Sequence, residues 1–296
     1  MSLYIIIAII AYSLYAFNGI VDKFLLTKAV RSPAVYAFFI GITGPFTLVL
    51  APWAKWLSFS DILVALAGGA AFVWALFFLY KATQQTSISR ILPIEGGLVP
   101  VFTLFFAYII LGERLLPLQL GAFIFLVLGA VLISFRHDKT GWHSRAFTNA
   151  TIAAILFALS FVLIKYIFDN YNFASGLVWT RLGFFVVALS FLIPKSVRKA
   201  VFNAPKSTTA GNKYLYLSAR VSGSVAGILQ NYAISLGSVT IVNAMQGTQY
   251  ALLLIGTLIL SNYFPKILKE KISRGILTQK IVAILLISAG LVMLSL

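Results

Sequence analysis

Cysteine is absent from this 296-residue sequence, which excludes disulfide frameworks, thiolate metal sites and cysteine nucleophiles. Charge is nearly as scarce. Only 10% of residues are Asp, Glu, Lys or Arg, against 60% hydrophobic, and the mean hydropathy is +0.97. A water-soluble domain carries about 25% charged residues, so a soluble fold is excluded, and so is a disordered chain. The two histidines, His137 and His143, share one connection with Asp138 and are a weak metal signal. There is no glycine-rich loop ending in Lys-Ser/Thr, no HExxH and no GxSxG. Neither an ATP-driven pump nor an intramembrane hydrolase is indicated, and no enzyme activity, cofactor or metal is expected.

What the sequence has is long apolar runs. A spanning helix needs about 20 such residues, and ten stretches qualify: 3–21, 34–51, 62–80, 91–111, 117–135, 147–164, 174–193, 214–235, 239–260 and 281–296. They predict an all-α polytopic membrane protein of ten transmembrane helices, multi-pass in the cell (inner or plasma) membrane. A β-barrel is excluded because barrel strands alternate apolar with polar residues, whereas 117–135 is continuously apolar. The N-terminus lacks a basic leader and its apolar run is already of spanning length, so it reads as a helix of the mature protein.

The net charge of +16 is distributed unevenly. Eighteen of the 23 cations lie in connections after the odd-numbered helices, and only Lys55, Arg114 and Lys165 in those after even ones. Basic connections stay cytoplasmic, which predicts odd connections inside and both termini outside. The basic segments are short and tied to no nucleic-acid module, so the expected partner is the lipid bilayer with its anionic headgroups, not nucleic acid.

Five helices, a polar connection over 136–146 and five more helices suggest a duplication, with repeats over 3–135 and 147–296. Asn18 with Lys23 has the same spacing as Ser160 with Lys165. An odd number of helices per repeat makes the second copy enter the membrane from the opposite side, the inverted repeat common among secondary transporters.

The segment Leu98–Arg114, with Pro100 ahead of a Gly112-Glu113 helix end, followed by the glycine-containing helix around Gly121 and Gly129, resembles the end of the first repeat in the EamA family of the drug/metabolite transporter superfamily. The resemblance extends as two five-helix repeats over essentially the whole chain. The family's arginine in the second helix of a repeat stands here as Arg181, with Phe39 at the first-repeat position. The second-repeat counterpart of Pro100–Glu113 is degenerate over Tyr250–Leu260, and Glu270 stands further on. The resemblance implies a transporter of small organic metabolites such as amino acids, amines or related compounds; the expected action is outward transport by alternating access.

Three charges fall within the expected spans: Glu95, Arg181 and Arg220. Each is costly in hydrocarbon unless it faces a cavity or a partner. Glu95 reads as a proton-coupling or amine-binding group and the arginines as anchors for a carboxylate or phosphate. The structural alternative is an ion pair between Glu95 and Arg220 and lipid-headgroup contact for Arg181. Gly96-Gly97 beside Glu95, with Pro93 and Pro100, reads as a hinge or a static kink. Gln230 and Asn231, and Asn243, Gln246 and Gln249 at intervals of three, form a neutral polar set. With Asn18 and Trp74 they line a central cavity, or else they are interhelical hydrogen bonds. The expected substrate-binding residues are therefore Asn18, Trp74, Glu95, Arg181, Arg220, Asn231, Asn243 and Gln246. The rival functions are a passive facilitator or channel and a lipid-handling flippase or membrane enzyme. Substrate identity and oligomeric state are not encoded in any motif present.

Overall fold

The computed structural model describes residues 2–25, 32–86, 88–135, 144–203, 213–261 and 274–295, and every regular element among them is helical. In chain order these are α1 (Leu3–Leu25), α2 (Pro33–Gly41), a 3-10 helix (Gly44–Trp53), α3 (Phe59–Gln85), α4 (Ile88–Phe106), α5 (Pro117–Ser134), α6 (Ser144–Asn170), α7 (Phe173–Ser190), α8 (Lys195–Asn203), α9 (Lys213–Leu236), α10 (Val239–Ala244), α11 (Gln246–Ser261) and α12 (Arg274–Ser295). Among the described residues, eight helical stretches are long and apolar enough to cross a membrane. The expected span 214–235 is present as α9, whose Arg220, Gln230 and Asn231 leave it more polar than those eight. The expected span 239–260 is divided at Met245 into α10 and α11, each shorter than a bilayer requires.

Local chemistry explains the irregularities. The second expected span begins as α2 with Pro33 in its first turn, then tightens to a 3-10 helix where Gly44, Pro45 and Pro52 remove donors and rigidity from the ladder. α4, by contrast, runs through both Pro93 and Pro100. Its end widens into a π turn over Ala107–Leu111 and stops at Gly112, whose φ of 67° is the left-handed conformation that glycine adopts without a Cβ penalty. The Glu113 N–H then donates to the Ala107 carbonyl at 3.1 Å. The Gly-Glu motif is thus a helix stop.

The helices group into two compact units. Unit 1 comprises 1–29, 115–136 and 208–296, and its described helices are α1, α5 and α9–α12. Here α1 packs along α9 and α11, while α5 packs along α12 and α11. Small residues set the approach. A Cβ on Gly129 would lie 3.1 Å from the Ala283 carbonyl, and one on Gly290 would lie 3.1 Å from the Ala122 carbonyl. The α5–α12 seam is therefore a reciprocal glycine contact, the arrangement that lets membrane helices gain dispersion energy without a hydrophobic driving force. Gln279 secures one end of it, donating to the Leu132 and Phe135 carbonyls at 2.7 Å each.

Unit 2 comprises 30–114 and 137–207. In it α3 lies against α6 and α7, α4 lies on α6, and α2 packs on α3 and α7. Backbone meets backbone at Gly69 against Thr180 and at Gly183 against Leu66. α3 and α6 run antiparallel. At one end, Tyr166 and Tyr171 donate to the Asp61 carboxylate at 3.2 and 2.7 Å, and the Ser58 hydroxyl donates to it at 2.7 Å. Asn172 Nδ2 donates to the Trp53 carbonyl, the Lys55 N–H to Ser175 Oγ, and the Trp179 indole to the Lys55 carbonyl. Trp53 and Trp56 beside them are largely exposed, as interfacial aromatics are.

Candidate functional site

The strongest polar centre lies in unit 1, where Tyr12 and Tyr15 on α1 meet Gln230 on α9 and Asn243 on α10. Gln230 is the hub. Its Nε2 donates to Tyr12 Oη at 3.3 Å and to Asn243 Oδ1 at 3.4 Å, while its Oε1 accepts from Tyr15 Oη at 3.2 Å. Tyr12 Oη in turn donates to the Val242 carbonyl at 2.8 Å. Tyr12, Gln230 and Asn243 are all buried. Local sequence places these groups: Tyr12, Tyr15 and Asn18 follow at intervals of three on one side of α1, and the break at Met245 leaves Asn243 at the end of α10.

Asn18 lies further along the same side of α1. It is beside Gly223, where a Cβ would come within 2.8 Å of Asn18 Nδ2. Its Oδ1 is buried and has no hydrogen-bond partner among the described residues. An amide oxygen in that state costs free energy unless a ligand or water satisfies it. The Thr240 and Thr248 hydroxyls in the same unit share that condition. Asn231 and Gln246 differ. Asn231 Nδ2 donates back to the Gly227 carbonyl at 2.8 Å and Gln246 Nε2 to Tyr250 Oη at 2.9 Å, so each makes a bond within its own helix.

Trp74, Glu95 and Arg181 belong to unit 2. Trp74 packs edge-on to Phe191 at 5.1 Å and Phe77 at 5.5 Å, in an aromatic group partly open to the surface. The Arg181 guanidinium lies 4.4 Å from the centroid of the Phe184 ring, which is itself stacked on Phe72; this is a cation–π contact. Glu95 is half-buried on α4, and no described side chain pairs with it. Arg220 is on α9, but its side chain lies outside the described residues, as do His137, His143 and Glu270. The proposed Glu95–Arg220 pair therefore rests on the sequence alone.

The structure thus brings Asn18 and Asn243 into one unit with the Gln230 network, and Trp74, Glu95 and Arg181 into the other. Tyr12 and Tyr15 were missed as site residues, because a tyrosine in an apolar helix reads as packing. Their spacing from Asn18 was the available signal.

The helical units, with eight apolar helical stretches and buried polar groups between helices, define a polytopic membrane protein. Residues 2–135 match the model of the EamA-like transporter family, which belongs to the drug/metabolite transporter superfamily. No curated protein matches the chain. A solved structure described only as a crystal structure of a protein is similar over 99% of this chain and 95% of its own, with a TM-score of 0.66 and 17% identity. At that identity the likeness shows a shared fold.

Proposed function

We propose that this chain is a carrier that exports small organic metabolites by alternating access, with amines and amino acids as the substrate class. It is built from ten spans in two inverted five-helix repeats over 3–135 and 147–296. The helix partnerships support the duplication. The first span of one half, α1, packs on α9 and α11, which are the third and fourth spans of the other half; the first span of the second half, α6, packs on α3 and α4. Second spans pair with each other as α2 and α7, and fifth spans as α5 and α12. At matched positions Asn18 meets Gly223, and Ser160 donates to the Gly68 carbonyl at 2.7 Å.

One observation carries the site. Ser160 is satisfied by the Gly68 carbonyl, whereas its counterpart Asn18 keeps a buried amide oxygen with no donor among the described residues. An open acceptor in an apolar setting suits the N–H of an ammonium or amine. Asn18 is the anchor, with Asn231, Asn243 and Gln246 completing the polar surroundings in unit 1. In unit 2, Glu95 is the proton carrier and Arg181 and Trp74 are further substrate contacts, while Arg220 on α9 anchors a carboxylate.

Reconstituted protein and pooled radiolabelled metabolites test this by counterflow. Counterflow with an amine or amino-acid pool is expected, weakened about tenfold or more by Asn18→Ala, since the acceptor is lost from a buried site. Glu95→Gln is expected to keep counterflow but lose accumulation driven by a proton gradient. Unchanged transport by Asn18→Ala removes that anchor. Folded, inserted wild-type protein that exchanges no pool removes the carrier.

A further inference from the structure

The paired helices α3 and α6 are each 27 residues long, about 40 Å at 1.5 Å per residue, whereas the hydrocarbon core is about 30 Å. Their ends therefore stand at headgroup level. The end opposite the Asp61 cluster holds an open cavity of about 420 Å³ lined by Lys81, Gln85, Ser144, Arg145, Thr148 and Asn149. This is within the range of about 300–1,000 Å³ for small-molecule sites.

Every lining residue is polar, two are cations and none is a carboxylate. Among the described residues neither Lys81 nor Arg145 is ion-paired. Lys81 Nζ is held 5.9 Å from the centroids of both Phe77 and Phe78, which draws the ammonium over the ring faces of its own helix. Asn149, buried to 8% exposure, donates Nδ2 to Gln85 Oε1 at 2.9 Å. That bond occupies the Gln85 oxygen and leaves its NH₂ as a donor. Ser144, Thr148 and Thr151 follow at intervals of four and three along one face of α6, and the Thr151 hydroxyl is buried with no partner among the described residues. Ala82 and Ala150, next in sequence to the lining residues Lys81 and Asn149, are buried with Ile91 in one apolar cluster. Donors outnumber acceptors around the cavity, and the first turn of α6 adds the positive end of its dipole.

We propose that this cavity is a phosphate-binding site that takes the phosphodiester headgroup of an anionic phospholipid or a free phosphate. A forked guanidinium and a point ammonium around one opening suit a group with several anionic oxygens. The site is independent of the transport proposal.

The test uses delipidated full-length protein with phosphatidylglycerol, phosphatidylcholine or inorganic phosphate, read by native mass spectrometry for the lipids and by calorimetry for phosphate. Wild type and the α8 control K195Q/K199Q are expected to hold phosphatidylglycerol, and K81Q/R145Q to hold it about tenfold or more weakly. The charge-keeping pair K81R/R145K, which also reports on folding, is expected to retain binding. Phosphatidylglycerol binding without phosphate binding assigns the site to headgroups. Saturable phosphate binding that K81Q/R145Q abolishes assigns it to free phosphate. Binding of both probes by K81Q/R145Q within about twofold of wild type overturns the proposal, and so does phosphatidylcholine held as tightly as phosphatidylglycerol with no phosphate binding.

Discussion

Replacing Gly69 by alanine adds a single methyl group, yet it should displace α7. At this position the new carbon would overlap the Thr180 carbonyl oxygen and sit 3.0 Å from Gly183 Cα and from the Phe184 nitrogen. All three obstacles are backbone, so no side chain can swing away, and the two helices must separate. Overpacking costs about 1–3 kcal/mol, and rigid neighbours put this site at about 3. The helix propensity of alanine over glycine returns about 1 kcal/mol, leaving a net loss of about 2. For a chain of this size that is about 3 °C in Tm. Gly275→Ala is the matched control, because its Cβ would meet nothing within 4 Å among the described residues; it should melt within about 1 °C of wild type or slightly above. Thermal unfolding in detergent, followed by tryptophan fluorescence, reads both. A Gly69→Ala protein that melts with wild type refutes the claim that backbone contact sets the α3–α7 distance. The same displacement would carry Arg181 with it, since Gly44 is closed against the Arg181 carbonyl from the other side.

Gln230→Ala removes three interhelical hydrogen bonds; at about 0.6 kcal/mol each in a membrane host, the loss is about 2 kcal/mol, read as a lower melting temperature, and an unchanged one would show those bonds to be energetically idle. Asp61→Ala removes the acceptor that joins Ser58, Tyr166 and Tyr171. Amide exchange over residues 53–60 should quicken while α6 stays protected, and equal exchange in both proteins would mean that this segment is held by Asn172, Ser175 and Trp179 alone.

The apolar runs were legible because hydrocarbon leaves a helix no substitute for uninterrupted hydrophobicity. Eight of the ten expected spans appear as helical stretches apolar enough to cross a membrane and a ninth, 214–235, as the more polar α9; α3 and α6 extend well past their apolar centres because polar residues continue a helix into the headgroup layer. Expected span 239–260 conceals a break at Met245, a residue with no turn signal of its own. The polar site was half legible. Asn, Gln and charged residues stand out against an apolar background, so Asn18, Gln230 and Asn243 were visible. Which of them are satisfied depends on partners more than 200 residues away, as with Tyr15 and Gln230, and no local pattern carries that.

The match of the EamA-like model to residues 2–135 follows the order of the chain, and the packing of the helices does not. Neither compact unit is a half of the chain: α1 and α5 from the first half build unit 1 with α9–α12, and α6–α8 from the second build unit 2 with α2–α4. Recognisable sequence and packing are separable because they rest on different residues. The first half is marked by Pro100 and the Gly112-Glu113 stop, features of a single helix and its end. The packing rests on small residues wherever two backbones approach, such as Gly129 against Ala283, Gly290 against Ala122, and Gly183 against Leu66. Tyr250–Leu260 in the second half has neither a proline nor a Gly-Glu stop, and that half still supplies these seams. Selection on close approach constrains side-chain size at a few positions and leaves the remaining lipid-facing residues free to vary among apolar types.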